Sequence, residues 1–107
     1  MTSEPTLRDI YEARPRVYRL LRPTPLIRHP LLVSELGCEV WVKHENHNPT
    51  GAFKIRGGLN LVSMLGADER ARGLATASTG NHGQSLAMAC GLEDVPCTIY
   101  VPRGNNP

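Results

Sequence analysis

Lysine is almost missing from this sequence: of twelve basic residues in 107, only Lys43 and Lys54 are lysines. Aromatic residues are also scarce, at 5% with one Phe and one Trp, which leaves no platform on which nucleic-acid bases could stack. The net charge is only +2, so no strong field recommends a polyanionic partner such as nucleic acid. Three cysteines, Cys38, Cys90 and Cys97, are odd in number and contain no CxxC pair. That pattern argues against a disulfide framework or a zinc ribbon and suits small core residues in a reducing cytoplasm. No apolar run approaches the length that spans a bilayer. The opening "MTSEPTLRDIYEARP" is polar and acidic where a signal peptide would be apolar. A cytoplasmic protein with no membrane partner is expected.

What is present is the composition of one globular domain, 40% hydrophobic and 21% charged. Arg14, Arg16, Arg19, Arg22 and Arg28 crowd one stretch, and a solvated helix face or an interface accounts for such a run. Thr6 can cap a first helix, with Asp9 in its first turn and Pro15 disturbing its end. The prolines of "RPTPLIRHP" force an extended path. "LLVSELG" reads as a short helix stopped by Gly37, and "CEVWVKH" alternates as a strand does. After the turn-rich "ENHNPTG", Ile55, Leu59 and Val62 fall at i, i+4 and i+7, one stripe of a helix. Gly57 and Gly58 lie inside that helix at a cost of about 1 kcal/mol each relative to alanine, which implies that something approaches the backbone closely. "LGADERARG" reads as a polar connection, "LATA" and "CTIYV" as strands, and "QSLAMAC" as a small-residue helix. Strands alternating with helices predict a parallel α/β sheet. The chain stops at "VPRGNNP", in a turn after a strand, and a fragment of something longer is expected.

Two stretches carry chemistry. In "NPTGAFKIRGG", Lys54 follows Phe53 and small turn-forming residues, and apolar flanks would desolvate the amine and favour its neutral, nucleophilic form. A surface lysine opening a helix is the plain alternative. In "STGNHGQSLA" a strand runs into a loop and then a helix near Asn81, whose first backbone N–H groups suit a carboxylate. Ser78 and Thr79 add hydroxyl donors and Asn81 an amide. An ordinary capping turn is again the plain alternative. "HENH" lacks the spacing of a metal motif, so no metal is expected; His29 reads as a surface residue, and Arg56 as a salt bridge across its helix.

Together, "KHENHNPTGAFKIRGGLN" and "STGNHGQSLA" resemble the fold-type II pyridoxal-phosphate enzymes (tryptophan synthase β-like), above all the threonine and serine dehydratases and serine racemases. "RPTPLIRHP" and "VPRGNNP" resemble the same family, from about Thr6 to the end. The resemblance implies a parallel-sheet α/β fold present as an incomplete N-terminal fragment. Residues 1–66 would belong to the large cofactor domain with its Schiff-base lysine, and 67–107 to the small domain. It implies pyridoxal 5'-phosphate as cofactor, bound by Phe53, Lys54 and Asn81, with Lys54 catalytic as anchor and base. Ser78, Thr79, Gly80, Asn81 and His82 would bind the substrate α-carboxylate. The implied reaction is deamination of L-threonine, and of L-serine, to a 2-oxo acid and ammonia, by a full-length homo-oligomer.

Racemase, threonine synthase-like activity or a non-catalytic truncated remnant are the alternatives. His82 and Ile55 favour the dehydratase and racemase branch over the threonine and cysteine synthases, which resemble "GNT" at this place, the threonine synthases tending also to an acidic residue after the lysine. Thr79 stands where racemases use a second serine, and Ala52 where the family commonly has serine. The family's glycine-rich phosphate cradle and its pyridine-nitrogen contact match no segment here, so the 107 residues alone are expected to be inactive.

Overall fold

The computed structural model describes residues 4–105. Helix α1 (Leu7–Tyr18) is opened by a reciprocal cap in which the Asp9 amide donates to Thr6 Oγ1 and the Thr6 amide donates to the Asp9 carboxylate. Pro15 lies inside the helix, which nevertheless continues to Tyr18. The proline sits in the last turn, where few backbone bonds depend on it.

Strand β1 (Leu26–Arg28) lies in the proline-rich stretch and pairs antiparallel with β2 (Trp41–Lys43), with Leu26 opposite Lys43 and Arg28 opposite Trp41. Between them α2 (Pro30–Leu36) ends at Gly37, whose left-handed φ of 67° favours a residue without a Cβ. A single 3-10 turn (Glu45–His47) follows, then α3 (Lys54–Ser63) and α4 (Ala67–Arg72). Helix α4 occupies what reads as a polar connection. Asp68 and Glu69 stand in its first turn and Arg70 and Arg72 in its last, the charge order that complements a helix dipole. Strand β3 (Leu74–Ala77) leads through α5 (Asn81–Leu92) to β4 (Cys97–Tyr100), and β3 and β4 pair in parallel. The expected strand–helix–strand unit is therefore present at 74–100. The strand at 41–43 does not join it but pairs antiparallel with β1 from the extended "PTPLIR" stretch.

The core forms where α3 crosses α5. Ile55, Leu59 and Val62 are fully buried, as their spacing predicts, against Ala89 and Cys90 of α5, with Val17 and Leu21 from the α1 side and Val95 completing the cluster. The two glycines of α3 separate here. A Cβ on Gly58 would lie 2.9 Å from the Ser85 carbonyl oxygen and closer still to its hydroxyl, whereas one on Gly57 would meet nothing within 4 Å. Close approach explains Gly58 and not Gly57. Cys90 lies in this core, and burial, aided by the neighbouring Cys97, pushes its thiol up to about 11. Cys38 is exposed, so the core reading holds for two of the three.

The N-terminal arginines disperse into separate pairings. Arg16 donates to Asn60, Arg19 pairs with Glu93, and Arg28 pairs with Glu39. No common anion-binding surface results from these pairings.

Candidate active site

Lys54 is the first residue of α3 and Phe53 the residue before it. Both are exposed, and the Lys54 amine stands 5.5 Å from the centre of the Phe53 ring. The expectation that apolar flanks desolvate the amine is not met within residues 4–105. Phe53 is 59% exposed and covers one side only, and the neighbouring Ile55 turns into the core instead. The lysine is presented to solvent.

The segment leading to Lys54 is held by a cage around Glu45. The carboxylate accepts two bonds from the Arg56 guanidinium, at 2.7 and 2.9 Å, one from Thr24 Oγ1 and one from the Asn48 amide. Thr24 and Asn48 are buried. Bonding to Arg56, aided by Thr24 and Asn48, holds the Glu45 carboxyl at about 2 against its ordinary 4.5. Arg56 is thus paired with the 3-10 turn, not across its own helix. Because the partners are 11 residues apart, no periodicity reveals them.

On the other side of the core, β3 ends and Ser78, Thr79 and Gly80 lead into α5, which begins at Asn81 with His82 next. Thr79, Gly80, Asn81 and His82 are exposed and Ser78 is half-buried. The Ser78 oxygen accepts from the amides of Gly80 (3.2 Å) and Gly83 (3.0 Å). It shapes the loop by satisfying the helix start. Beside it a depression of about 230 Å³ is lined by Ser78, Thr79, Gly80, Gly83, Gln84 and Ile99.

One buried contact brings the two stretches together. The Ser85 hydroxyl, on the turn of α5 after Asn81, donates to the Lys54 carbonyl oxygen at 2.6 Å. Ser85 escaped notice in the sequence because nothing marks it; the only signal was Gly58, whose missing side chain admits it. An exposed primary amine thus opens α3, and an exposed loop of hydroxyl and amide groups opens α5.

A model of the family described as pyridoxal-phosphate dependent enzyme matches residues 17–107. The chain belongs to this family. It is 41% identical over 98 residues to an L-threonine ammonia-lyase of Thermotoga maritima, covering 92% of the chain and 24% of that protein. It is 38% identical over 99 residues to an L-threo-3-hydroxyaspartate ammonia-lyase of Saccharomyces cerevisiae, covering 92% and 30%. The solved serine racemase of Dictyostelium discoideum superposes with a TM-score of 0.90 at 37% identity, covering 94% of the chain and 33% of that structure. The chain therefore has the fold-type II architecture over about a third or less of the length of these relatives.

Other features lie apart from this site. A cavity of about 1050 Å³ opens between α1 and α3 along Tyr11, Arg14, Tyr18, Leu21 and Arg22; neither Lys54 nor the 78–82 loop lines it. His29 is half-buried, with Nε2 2.9 Å from His44 Nε2 and the ring centres 5.1 Å apart. The two nitrogens face each other nearly head-on, so one N–H donates to the other ring. A metal in line between them would need about 4 Å. Among the described residues no three His, Cys, Asp or Glu are grouped to hold a metal, and no helix is long and apolar enough to cross a membrane.

Proposed function

We propose that this chain is the lysine-bearing part of a pyridoxal-phosphate-dependent ammonia-lyase that converts L-threonine to 2-oxobutyrate and ammonia, and L-serine to pyruvate and ammonia. The observation that carries this reading is the Ser85 bond, which ties the start of α3 at Lys54 to the helix that begins at Asn81. Residues 1–66 would contribute to the cofactor domain and 67–107 to the smaller one.

Lys54 and Asn81 would hold the cofactor, with Phe53 flanking the amine. When bound, pyridoxal phosphate supplies an aldehyde that captures an amine and a ring that draws electrons from the substrate Cα. The chain's own residues do the rest. The Lys54 amine, once free, takes the Cα proton as general base; its exposure gives it the reach to do so. The backbone amides at the start of α5 and the Thr79 hydroxyl receive the substrate carboxylate, and the helix dipole favours that charge. The Asn81 amide orients the ring through its hydroxyl. Ser78, whose oxygen already accepts the Gly80 and Gly83 amides, holds the loop in shape for this.

Threonine as substrate is supported by the L-threonine ammonia-lyase similarity, while the hydroxyaspartate ammonia-lyase keeps an acidic side chain in play. A second reading, serine racemisation, is favoured by the serine racemase likeness. It would require the Thr79 hydroxyl to deliver a proton from the opposite face.

The test is a coupled 2-oxo-acid assay on the chain extended to its relatives' length, with chiral chromatography of the remaining substrate. 2-Oxobutyrate from L-threonine without D-amino acid is expected. Accumulating D-serine would favour the racemase reading, and no turnover of either substrate would overturn both.

A further inference from the structure

The start of α3 lacks a side-chain cap, and a bond from another element tethers it without satisfying its free amides. Phe53, in the position that normally caps a helix, makes no side-chain cap bond, and an uncapped helix start frays. Lys54 is the first residue of that helix, so fraying there would swing its side chain directly. A hydrogen bond from another element meets this residue: Ser85 Oγ, 1% exposed, donates at 2.6 Å to the Lys54 carbonyl oxygen. Gly58 makes the approach possible, since any side chain there would strike Ser85.

Ser85 also stands four residues after Asn81, and residues so spaced share one face of a helix. The bond therefore sets the register between the lysine and the amide across two different elements. We infer that Ser85 is a positioning residue: its hydroxyl fixes the Lys54 backbone against α5, the helix that begins at Asn81, so that the amine would be held in place for a cofactor aldehyde. The inference rests on the pyridoxal-phosphate site proposed above. Buried as it is, Ser85 would act through the Lys54 backbone and not by touching cofactor or substrate.

The sequence provides its own control, because Lys43 is the one other lysine. The Lys43 amine donates to the Thr24 carbonyl oxygen on the β1–β2 side, away from α5. The chain is incubated with excess pyridoxal phosphate, reduced with borohydride, digested, and the adducts at Lys54 and Lys43 are compared by mass spectrometry. In the unaltered chain, Lys54 should be labelled well above Lys43. In Ser85→Ala the Lys54 to Lys43 ratio should fall about fivefold, the factor that loss of one ordinary hydrogen bond gives, with helical circular dichroism unchanged. A purely structural serine would shift the melting temperature and leave the ratio alone, and that result overturns the inference. Equal labelling of both lysines in the unaltered chain would overturn the proposed site itself and the inference with it. Should Ser85→Ala fail to fold, Ser85→Cys keeps the size with a weaker donor. A drop of about threefold is then expected, and an unchanged ratio counts against the role.

Discussion

Glu45 shows how much rests on one side chain that is not itself reactive. Its carboxylate gathers Arg56, Thr24 and Asn48 and so links the segment before β1, the 3-10 turn and the first turn of α3. Its folded value of about 2 lies below the ordinary 4.5, so the stabilisation is complete above about pH 4.5 and drains away as pH falls towards 2. Urea midpoints measured from pH 6 to pH 2.5 should fall over that window. Glu45→Gln should lower the unfolding free energy at pH 6 by about 1–3 kcal/mol for the buried donors left unsatisfied, and flatten the acid limb. An equally steep limb in the variant would mean that other carboxylates govern it. Lys54 belongs to the same scale. In the chain extended to its relatives' length, Lys54→Ala should abolish 2-oxo-acid formation, because it removes the proposed anchor and base together. Asn81→Ala should lower kcat by about tenfold or more while a cofactor absorbance remains. Full activity in the Lys54 variant would remove the basis of the proposed function.

Between elements, the contact that matters is α3 on α5, and the two adjacent glycines of α3 offer a matched test. Alanine is favoured over glycine inside a helix by about 1 kcal/mol. At Gly57 a Cβ meets nothing within 4 Å, so Gly57→Ala should raise the unfolding free energy by up to that amount, read as a higher urea midpoint. At Gly58 the same methyl would overlap Ser85, and overpacking a tight core costs about 1–3 kcal/mol. Gly58→Ala should therefore lower the midpoint and, by parting the helices, lower the selectivity of labelling at Lys54. Similar responses at the two positions would show that the helices yield more easily than their packing suggests.

Across the whole molecule, large apolar side chains stand in water on several faces. Leu7 is 70% exposed, Leu31 81%, Leu36 64% and Tyr100 64%. With about 25 cal/mol at stake per Å², these surfaces favour covering. The 107-residue chain should therefore associate with itself at micromolar concentration and melt at a temperature that depends on concentration. Sedimentation velocity showing a strict monomer up to about 100 µM would argue against this. Such a chain should also bind pyridoxal phosphate weakly, since only Lys54, Phe53 and Asn81 are assigned to the cofactor. A stoichiometric complex that survives desalting would show that residues 4–105 hold more of the site than these.

Local chemistry made much of this legible in the sequence. The Thr6–Asp9 cap, the Ile55–Leu59–Val62 stripe, the stop at Gly37 and the β3–α5–β4 unit depend on neighbours within a turn or two, and all stand where the pattern puts them. The paired motifs around Lys54 and Asn81 were specific enough to indicate the family. What the sequence could not contain were relations between residues far apart in the chain: β2 choosing β1 as partner, Arg56 choosing Glu45, His29 facing His44, and an exposed Lys54 where its flanks implied shelter. Whether a polar contact forms depends on which backbones come within 3 Å. That depends on how helices pack, and packing is decided by the shape of the whole core. The Ser85–Lys54 bond is the clearest case, a contact between two motifs that the crossing of α3 over α5 brings together.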